Sequence, residues 1–175
     1  KTQSLFLHEG CIMKSERVIV VGGGVGGYPA ALRAARLGAD VTLIEKEKMG
    51  GVCLNKGCIP TKVFLHSASL YEEVKRASLF GLTAEKLKID YIVLLARKNT
   101  IVNRLTAGVT SLLKNKKVKV LKGSAAFTDS NTMKIVETGE VVAGDKFILA
   151  TGSLPAQLSF PGSADIPLLT SDDLL

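Results

Sequence analysis

Short apolar runs ended by glycine alternate along this chain with longer stretches whose apolar residues recur every three or four positions. Val18-Ile19-Val20-Val21 is β-branched without a polar break, the composition of a strand buried in a parallel sheet. It runs straight into Gly22-Gly23-Gly24-Val25-Gly26-Gly27. Residues 26–37 then predict a helix whose Ala30, Ala31, Ala34 and Ala35 are small enough to lie closely on a sheet. Val41-Thr42-Leu43-Ile44 predicts a second strand ending at Glu45. A helix expected to reach about residue 78 shows Phe64, Leu65, Ala68, Tyr71, Val74 and Leu79 on one apolar face. Asp90 reads as the N-cap of a long helix reaching about Lys114, with Ile92, Leu95, Ile101, Leu105, Val109, Leu112 and Leu113 on its buried side.

The last third turns β-rich. Val118-Lys119-Val120-Leu121 is a short strand, and Met133–Val136 with Val141-Val142 flank a turn at Thr138-Gly139-Glu140, which predicts a hairpin. Phe147-Ile148-Leu149-Ala150 is a further buried strand, ended by Thr151-Gly152-Ser153 and Pro155. The expected class is α/β, with a parallel sheet, flanking helices and a small β-meander. Residues 17–155 form the expected domain, and residues 156–175 read as a connector. Residues 1–16 show no periodicity and do not begin with Met. They read as an extension or tag-like segment, with Met13 a candidate start and Cys11 incidental.

Composition narrows the function. With 46% hydrophobic residues the chain is not of the disordered class. The net charge of +7 raises nucleic acid as a partner, but the basic residues are scattered and carry no interleaved aromatics for base stacking. A solvated surface complementary to an anionic cofactor is the expectation instead, with no nucleic-acid partner. No apolar run approaches the roughly 20 residues of a membrane span, so no membrane role is expected. Three cysteines and two histidines are too few for a disulfide-stapled secreted domain, and His8 and His66 lack zinc-ligand spacing, so no metal is expected. A reducing, cytoplasmic compartment fits, or an organelle matrix.

The glycine run matches G-x-G-x-x-G at Gly22, Gly24 and Gly27. Alone that pattern is weak; strand, glycines, small-residue helix, second strand and terminal acid together make a strong signal for a dinucleotide. Gly22 permits the tight turn, Gly24 lets backbone N–H groups approach a pyrophosphate at the helix N-terminus, and Gly27 permits close packing. Glu45, 23 residues after Gly22, can accept from both ribose hydroxyls and repels a 2′-phosphate. NADP is thereby disfavoured, while FAD and NAD both remain open.

Between the helices stands Gly50-Gly51-Val52-Cys53-Leu54-Asn55-Lys56-Gly57-Cys58-Ile59-Pro60-Thr61-Lys62. The glycines permit an extended or bent backbone against a flat ligand, and Cys53 and Cys58 close a six-residue loop suited to a readily reduced disulfide. Pro60 suits an early helix position, which places Cys58 near a helix N-terminus, where the peptide dipoles favour a thiolate. Lys62 lies one turn further along the same face and adds positive charge. The bland alternative is two buried core cysteines. His66 reads as an ordinary helix residue near the site.

These residues together resemble the flavoprotein pyridine nucleotide-disulfide oxidoreductases. The resemblance runs from Val18 onward and rests on the Gly22/Gly24/Gly27 fingerprint, the Cys53–Lys62 stretch, Gly123-Ser124-Ala125 and Ala150-Thr151-Gly152-Ser153. The Cys-Leu-Asn and Cys-Ile-Pro wording looks like the lipoamide branch rather than the glutathione or mercuric reductases. The resemblance implies a Rossmann-like FAD-binding domain, with FAD as cofactor and NAD+ as the acceptor in the complete enzyme. It implies that Cys58 is the charge-transfer thiol beside the flavin and Cys53 the interchange thiol. It places Lys62 near the flavin N5, Glu45 on the adenosine ribose with Lys46 beside it, and Ala125 at the adenine. Gly51, Thr151 and Gly152 would line the cofactor. The implied reaction is oxidation of lipoamide-type dithiols, free or on a dihydrolipoyl-bearing protein, by a homodimer. Complete members also carry a nicotinamide-binding domain and an interface domain with a His-Glu pair, so this chain alone is not expected to turn over. The alternatives are a non-catalytic dinucleotide-binding module and a related glutathione- or mercuric-type reductase.

Overall fold

The first strand shows how the sequence divides the molecule into layers. Val18 and Val20 point to one face and Ile19 and Val21 to the other, and all four are buried. A strand apolar on both sides needs cover on both sides. The computed structural model describes residues 15–156 and 158–175; the readings placed on His8, Cys11 and Met13, and all but the last two residues of the 1–16 segment, lie outside them. The described residues form β1 (Arg17–Val21), α1 (Gly27–Arg36), β2 (Asp40–Glu45), α2 (Gly51–Lys56), α3 (Cys58–Lys75) and α4 (Tyr91–Asn115). After these come β3 (Lys119–Lys122), β4 (Ala125–Asp129), β5 (Thr132–Ile135), β6 (Val141–Ala143), β7 (Lys146–Leu149) and the short α5 (Ser171–Leu174).

A parallel sheet in the order β3-β2-β1-β7 forms the middle layer. On one face Val18, Val20, Val41 and Leu43 pack with Ala31 of α1 and Val102, Val109 and Leu113 of α4. On the other, Ile19, Val21 and Ile44 pack with Met133, Ile135 and Val142 of the antiparallel sheet β4-β5-β6. The hairpin and meander are as expected from the sequence. Arg17 joins the layers at the far edge, where its guanidinium grips Asp145 through Nη2 at 2.8 Å and Nε at 3.2 Å. No helix among the described residues is long and apolar enough to cross a membrane.

The helix ends match the sequence better than the helix faces do. Asp90 caps α4, its Oδ1 accepting from the Val93 N–H at 3.0 Å. The buried side of α4 is nevertheless Val102, Val109 and Leu113, while Ile92, Leu105 and Leu112 are exposed. On α3 the buried residues are Pro60 and Val63; Leu65, Ala68 and Leu79 are exposed, and Phe64, Tyr71 and Val74 half-buried. The reason is positional. Val102, Val109 and Leu113 of α4 lie against the sheet and α1, whereas the exposed residues of both apolar stripes find no such cover. The helix α3 also stops at Lys75 and passes into a 3₁₀ turn at Ala77–Phe80, short of the expected residue 78.

Two glycines test this packing in opposite directions. A Cβ on Gly27 would lie 1.7 Å from the Gly22 carbonyl oxygen, so Gly27→Ala should destabilise the fold by about 3 kcal/mol or more, read by urea unfolding. Gly108, inside α4, has nothing within 4 Å of such an atom, and Gly108→Ala should stabilise by roughly 0.5–1 kcal/mol.

Candidate functional site

Ligands of open parallel sheets sit beyond the carboxyl ends of the strands, where neighbouring connections leave in opposite directions. Here β1, which turns into the glycine loop, and β7, whose last residue Leu149 leads into Ala150, end side by side. The two are tight against each other. Gly22 has φ +102°, and a Cβ there would lie 2.2 Å from the Ala150 carbonyl oxygen. Gly22 donates to the Ile44 carbonyl at 2.8 Å and Ala150 donates to the Val21 carbonyl at 2.8 Å, so the loop begins from a hydrogen-bonded base. Among the described residues the N–H groups of Gly24, Val25 and Gly26 have no hydrogen-bond acceptor. They stand at the start of α1, where the helix dipole favours an anion.

The dithiol segment joins this loop backbone to backbone. Gly50 donates to the Gly23 carbonyl at 2.8 Å, and a Cβ on Gly51 would lie 2.6 Å from the Gly24 Cα. Gly50 and Gly51 both hold positive φ, 98° and 59°, a conformation in which glycine carries little penalty. Of the extended or bent course open to this pair, the bent one is present. Cys58 is the first residue of α3, at a helix N-terminus as anticipated, while Cys53 lies inside α2 and Gly57 separates the two helices. A Cβ at Gly57 would come within 3.1 Å of the Val52 carbonyl oxygen, which explains a glycine between two abutting helices.

Both cysteines are free thiols, Cys53 half-buried and Cys58 exposed. Neither is a closed core residue. A hydrogen bond shared with the Cys58 side chain raises the Cys53 pKa, and burial and the charge of Cys58 add to this. The Cys58 backbone N–H and the positive charge of Lys62 act in the opposite direction. Lys62 is itself exposed, one turn into α3 from Cys58.

Glu45 is buried at the end of β2 with both carboxylate oxygens engaged. Oε2 accepts from the Gly23 N–H and Oε1 from the Glu47 N–H, each at 2.6 Å. Each oxygen keeps a further lone pair, so the residue can brace the glycine loop and still accept from a ligand. Lys46 beside it is exposed. Ala125 opens β4 close by, because Gly123 donates to the Glu45 carbonyl at 3.0 Å and Lys122 donates to the Glu47 carbonyl. Thr151 and Gly152 follow β7; both are exposed, and Gly152 faces open space with φ +73°. The sequence candidates thus fall along one edge of the sheet, from Ala125 past Glu45 and the glycine loop to Gly152, with the dithiol helices attached at Gly24.

Two supports were not legible as such. Asn55 donates to the carbonyls of Met49 and Gly51, each at 3.0 Å, and holds the bend that precedes α2. Its signal was an amide four residues after a glycine, the spacing of side-chain bonding back along a helix. Lys56, between the two cysteines, bonds Asp172 of α5 at 3.0 Å across 116 residues. No local pattern marks such a pair.

The thiol environment has a measurable consequence. Removing Cys58 by Cys58→Ala should shift the alkylation profile of Cys53 to lower pH, and Lys62→Gln should shift it to higher pH. Both are read by mass spectrometry of the Cys53 peptide after iodoacetamide pulses; unchanged profiles in both variants would contradict this arrangement.

Comparison with known proteins agrees with the geometry. Residues 16–174 match the family model described as pyridine nucleotide-disulphide oxidoreductase. The chain is 44% identical over 142 residues to the dihydrolipoyl dehydrogenase of Bacillus subtilis (strain 168), covering 80% of this chain and 30% of that protein. It is 45% identical over 155 residues to that of Thermus scotoductus, covering 88% and 33%, and 43% identical over 150 residues to that of Acholeplasma laidlawii, covering 85% and 44%. The chain therefore spans between 30% and 44% of the length of these relatives. Enzymes of the matched family depend on FAD, with NAD as the partner. By its sequence and the α/β architecture that carries its glycine loop, the chain belongs to the pyridine nucleotide-disulphide oxidoreductase family.

Proposed function

We propose that this chain carries the FAD site and the redox dithiol of a dihydrolipoyl dehydrogenase. The observation that carries the reading is the joint between Gly24 and Gly51, which attaches the Cys53–Cys58 pair directly to a dinucleotide-type loop. Residues 17–155 are assigned to the FAD-binding segment and residues 156–175 to a connector. The residues fit the cofactor. Unpartnered N–H groups at Gly24, Val25 and Gly26 would receive the pyrophosphate, Glu45 the adenosine ribose with Lys46 at its rim, and Ala125 the adenine. Gly51, Thr151 and Gly152 leave a backbone-lined edge for the rest, with Lys62 near the flavin ring. When bound, FAD supplies the two-electron acceptor between the dithiol and NAD+.

The chain's own chemistry is thiol exchange. In the oxidised pair, a thiolate of the dihydrolipoyl group attacks the Cys53 sulfur and Cys58 leaves as thiolate. The second substrate thiol then displaces Cys53, so the substrate becomes a cyclic disulfide and two electrons and two protons reach the pair. Cys58 is placed to leave as the first residue of α3, exposed beside the half-buried Cys53. The substrate is lipoamide or a dihydrolipoyl-bearing protein, and the complete enzyme is a homodimer of a reducing, cytoplasmic compartment.

Purified chain supplied with FAD should become yellow, and adding a dithiol should produce a long-wavelength absorbance band. Cys58→Ala should remove the band and leave FAD uptake intact. Protein that stays colourless and takes up no added FAD would contradict the proposal.

A further inference from the structure

The antiparallel sheet joins the parallel one beside Glu45, where Gly123 donates to the Glu45 carbonyl at 3.0 Å. In the order β4-β5-β6, β4 is an edge strand with a neighbour on one side only. Its register sets Ala125 opposite Ile135 and Ala126 opposite Lys134, and by continuation Ser124 opposite Val136. The Val136 N–H donates to the Ser124 carbonyl at 2.9 Å, as that register requires. The Ser124 N–H, which in an unbroken ladder would return to Val136, donates to Oε2 of Glu137 at 2.8 Å. Bonds from the Ser124 and Glu137 N–H groups and from the Ser124 side chain hold the Glu137 carboxyl below the usual carboxylate range. The acceptor is therefore charged, which strengthens the bond. Gly123 leaves room for it: a Cβ there would lie 2.5 Å from Glu137 Oε2 and 2.6 Å from Ile135 Cγ2.

Antiparallel neighbours alternate between pairs that bond each other and pairs that do not. With Ser124 and Val136 bonded, Ala125 and Ile135 are of the second kind. Ile135 agrees, since its N–H donates to the Glu140 carbonyl. The Ala125 N–H and carbonyl consequently turn away from β5, toward the open edge of the sheet. Ala125 thus offers a donor and an acceptor side by side on backbone, one residue from the Glu137 bond.

We propose that Glu137 is a positioning residue that makes this edge select adenine. The inference rests on the proposed contact of Ala125 with the adenine of FAD. The Glu45 carbonyl holds Gly123 and the Glu137 carboxylate holds Ser124, so the direction of the Ala125 groups is fixed before the base arrives. Adenine presents a ring nitrogen that accepts beside an amino group that donates. Hypoxanthine presents a ring N–H and a carbonyl at the same places, so both contacts fail and the backbone groups are left unmet. Glu137 touches neither the base nor the thiols; it acts through Ser124.

The test is equilibrium dialysis of the 175-residue chain against FAD and against the dinucleotide with hypoxanthine in place of adenine. Wild type should prefer FAD by about tenfold or more. Glu137→Ala should bind FAD about tenfold more weakly and the hypoxanthine dinucleotide as wild type does. Glu137→Gln, which keeps an amide oxygen as acceptor, should return FAD affinity to within roughly threefold of wild type. Without any ligand, hydrogen exchange at the Ser124 amide should be about tenfold faster in Glu137→Ala and near wild type in Glu137→Gln. Glu137 is exposed, and a melting curve checks that each variant folds. Wild-type FAD affinity in Glu137→Ala would overturn the proposal. So would equal weakening of both dinucleotides with faster exchange at the buried Met133 of β5, the mark of a hairpin merely loosened. Wild-type chain that takes up no FAD would overturn the cofactor reading and this inference with it, whereas the variant results bear on Glu137 alone.

Discussion

Gly24 and Gly51 meet so closely that a single methyl group on Gly51 would lie 2.6 Å from the Gly24 Cα. Most of what is distinctive about the candidate site depends on that approach. It sets the glycine loop at the start of α1 against the bend at the start of α2, with no side chain between them. The glycine loop and the helix that bears Cys53 are thereby held by backbone, which has far less freedom than side chains would. The hydrogen bond from Gly50 to the Gly23 carbonyl fixes the register of the contact.

Around this joint, polar groups serve to stiffen it. Glu45 takes the N–H groups of Gly23 and Glu47, which braces the loop from the strand side. Asn55 takes the carbonyls of Met49 and Gly51 from the helix side, and Thr106 of α4 reaches the Asn55 amide oxygen at 3.4 Å. Met49 fills the space behind Gly23, where a Cβ would lie 2.6 Å from its sulfur. The result is a site whose geometry is set before any ligand arrives. Pre-organised donors of this kind lose little freedom on binding, which favours affinity for a long, flexible dinucleotide.

How much of this could be read from the chain depends on the range of each interaction. The first two strands of the parallel sheet were legible because β1 carries an unbroken β-branched run and β2 is an apolar run interrupted only by Thr42, and the loop because its glycines stand at fixed offsets from a strand and an acid. Asp90 was legible as a cap because capping is local. The buried faces of α3 and α4 were not, since Leu65, Ile92 and Leu112 have the right spacing and simply meet nothing in the fold. Periodicity shows which residues can share a face, not whether a neighbour covers it. The helix at Cys53 was hidden for a different reason: six residues between two glycine bends are too few to show a period. The bond from Lys56 to Asp172 is wholly a product of the fold.

Whether the dinucleotide loop and the dithiol share one backbone joint can be read from Gly51→Ala, by titrating FAD and timing Cys53 alkylation on the same folded sample. The predicted result is that FAD affinity falls at least tenfold and the Cys53 alkylation rate departs from wild type with it. A variant that loses FAD while Cys53 reacts at the wild-type rate, or that keeps wild-type FAD affinity while Cys53 changes, would contradict a shared joint.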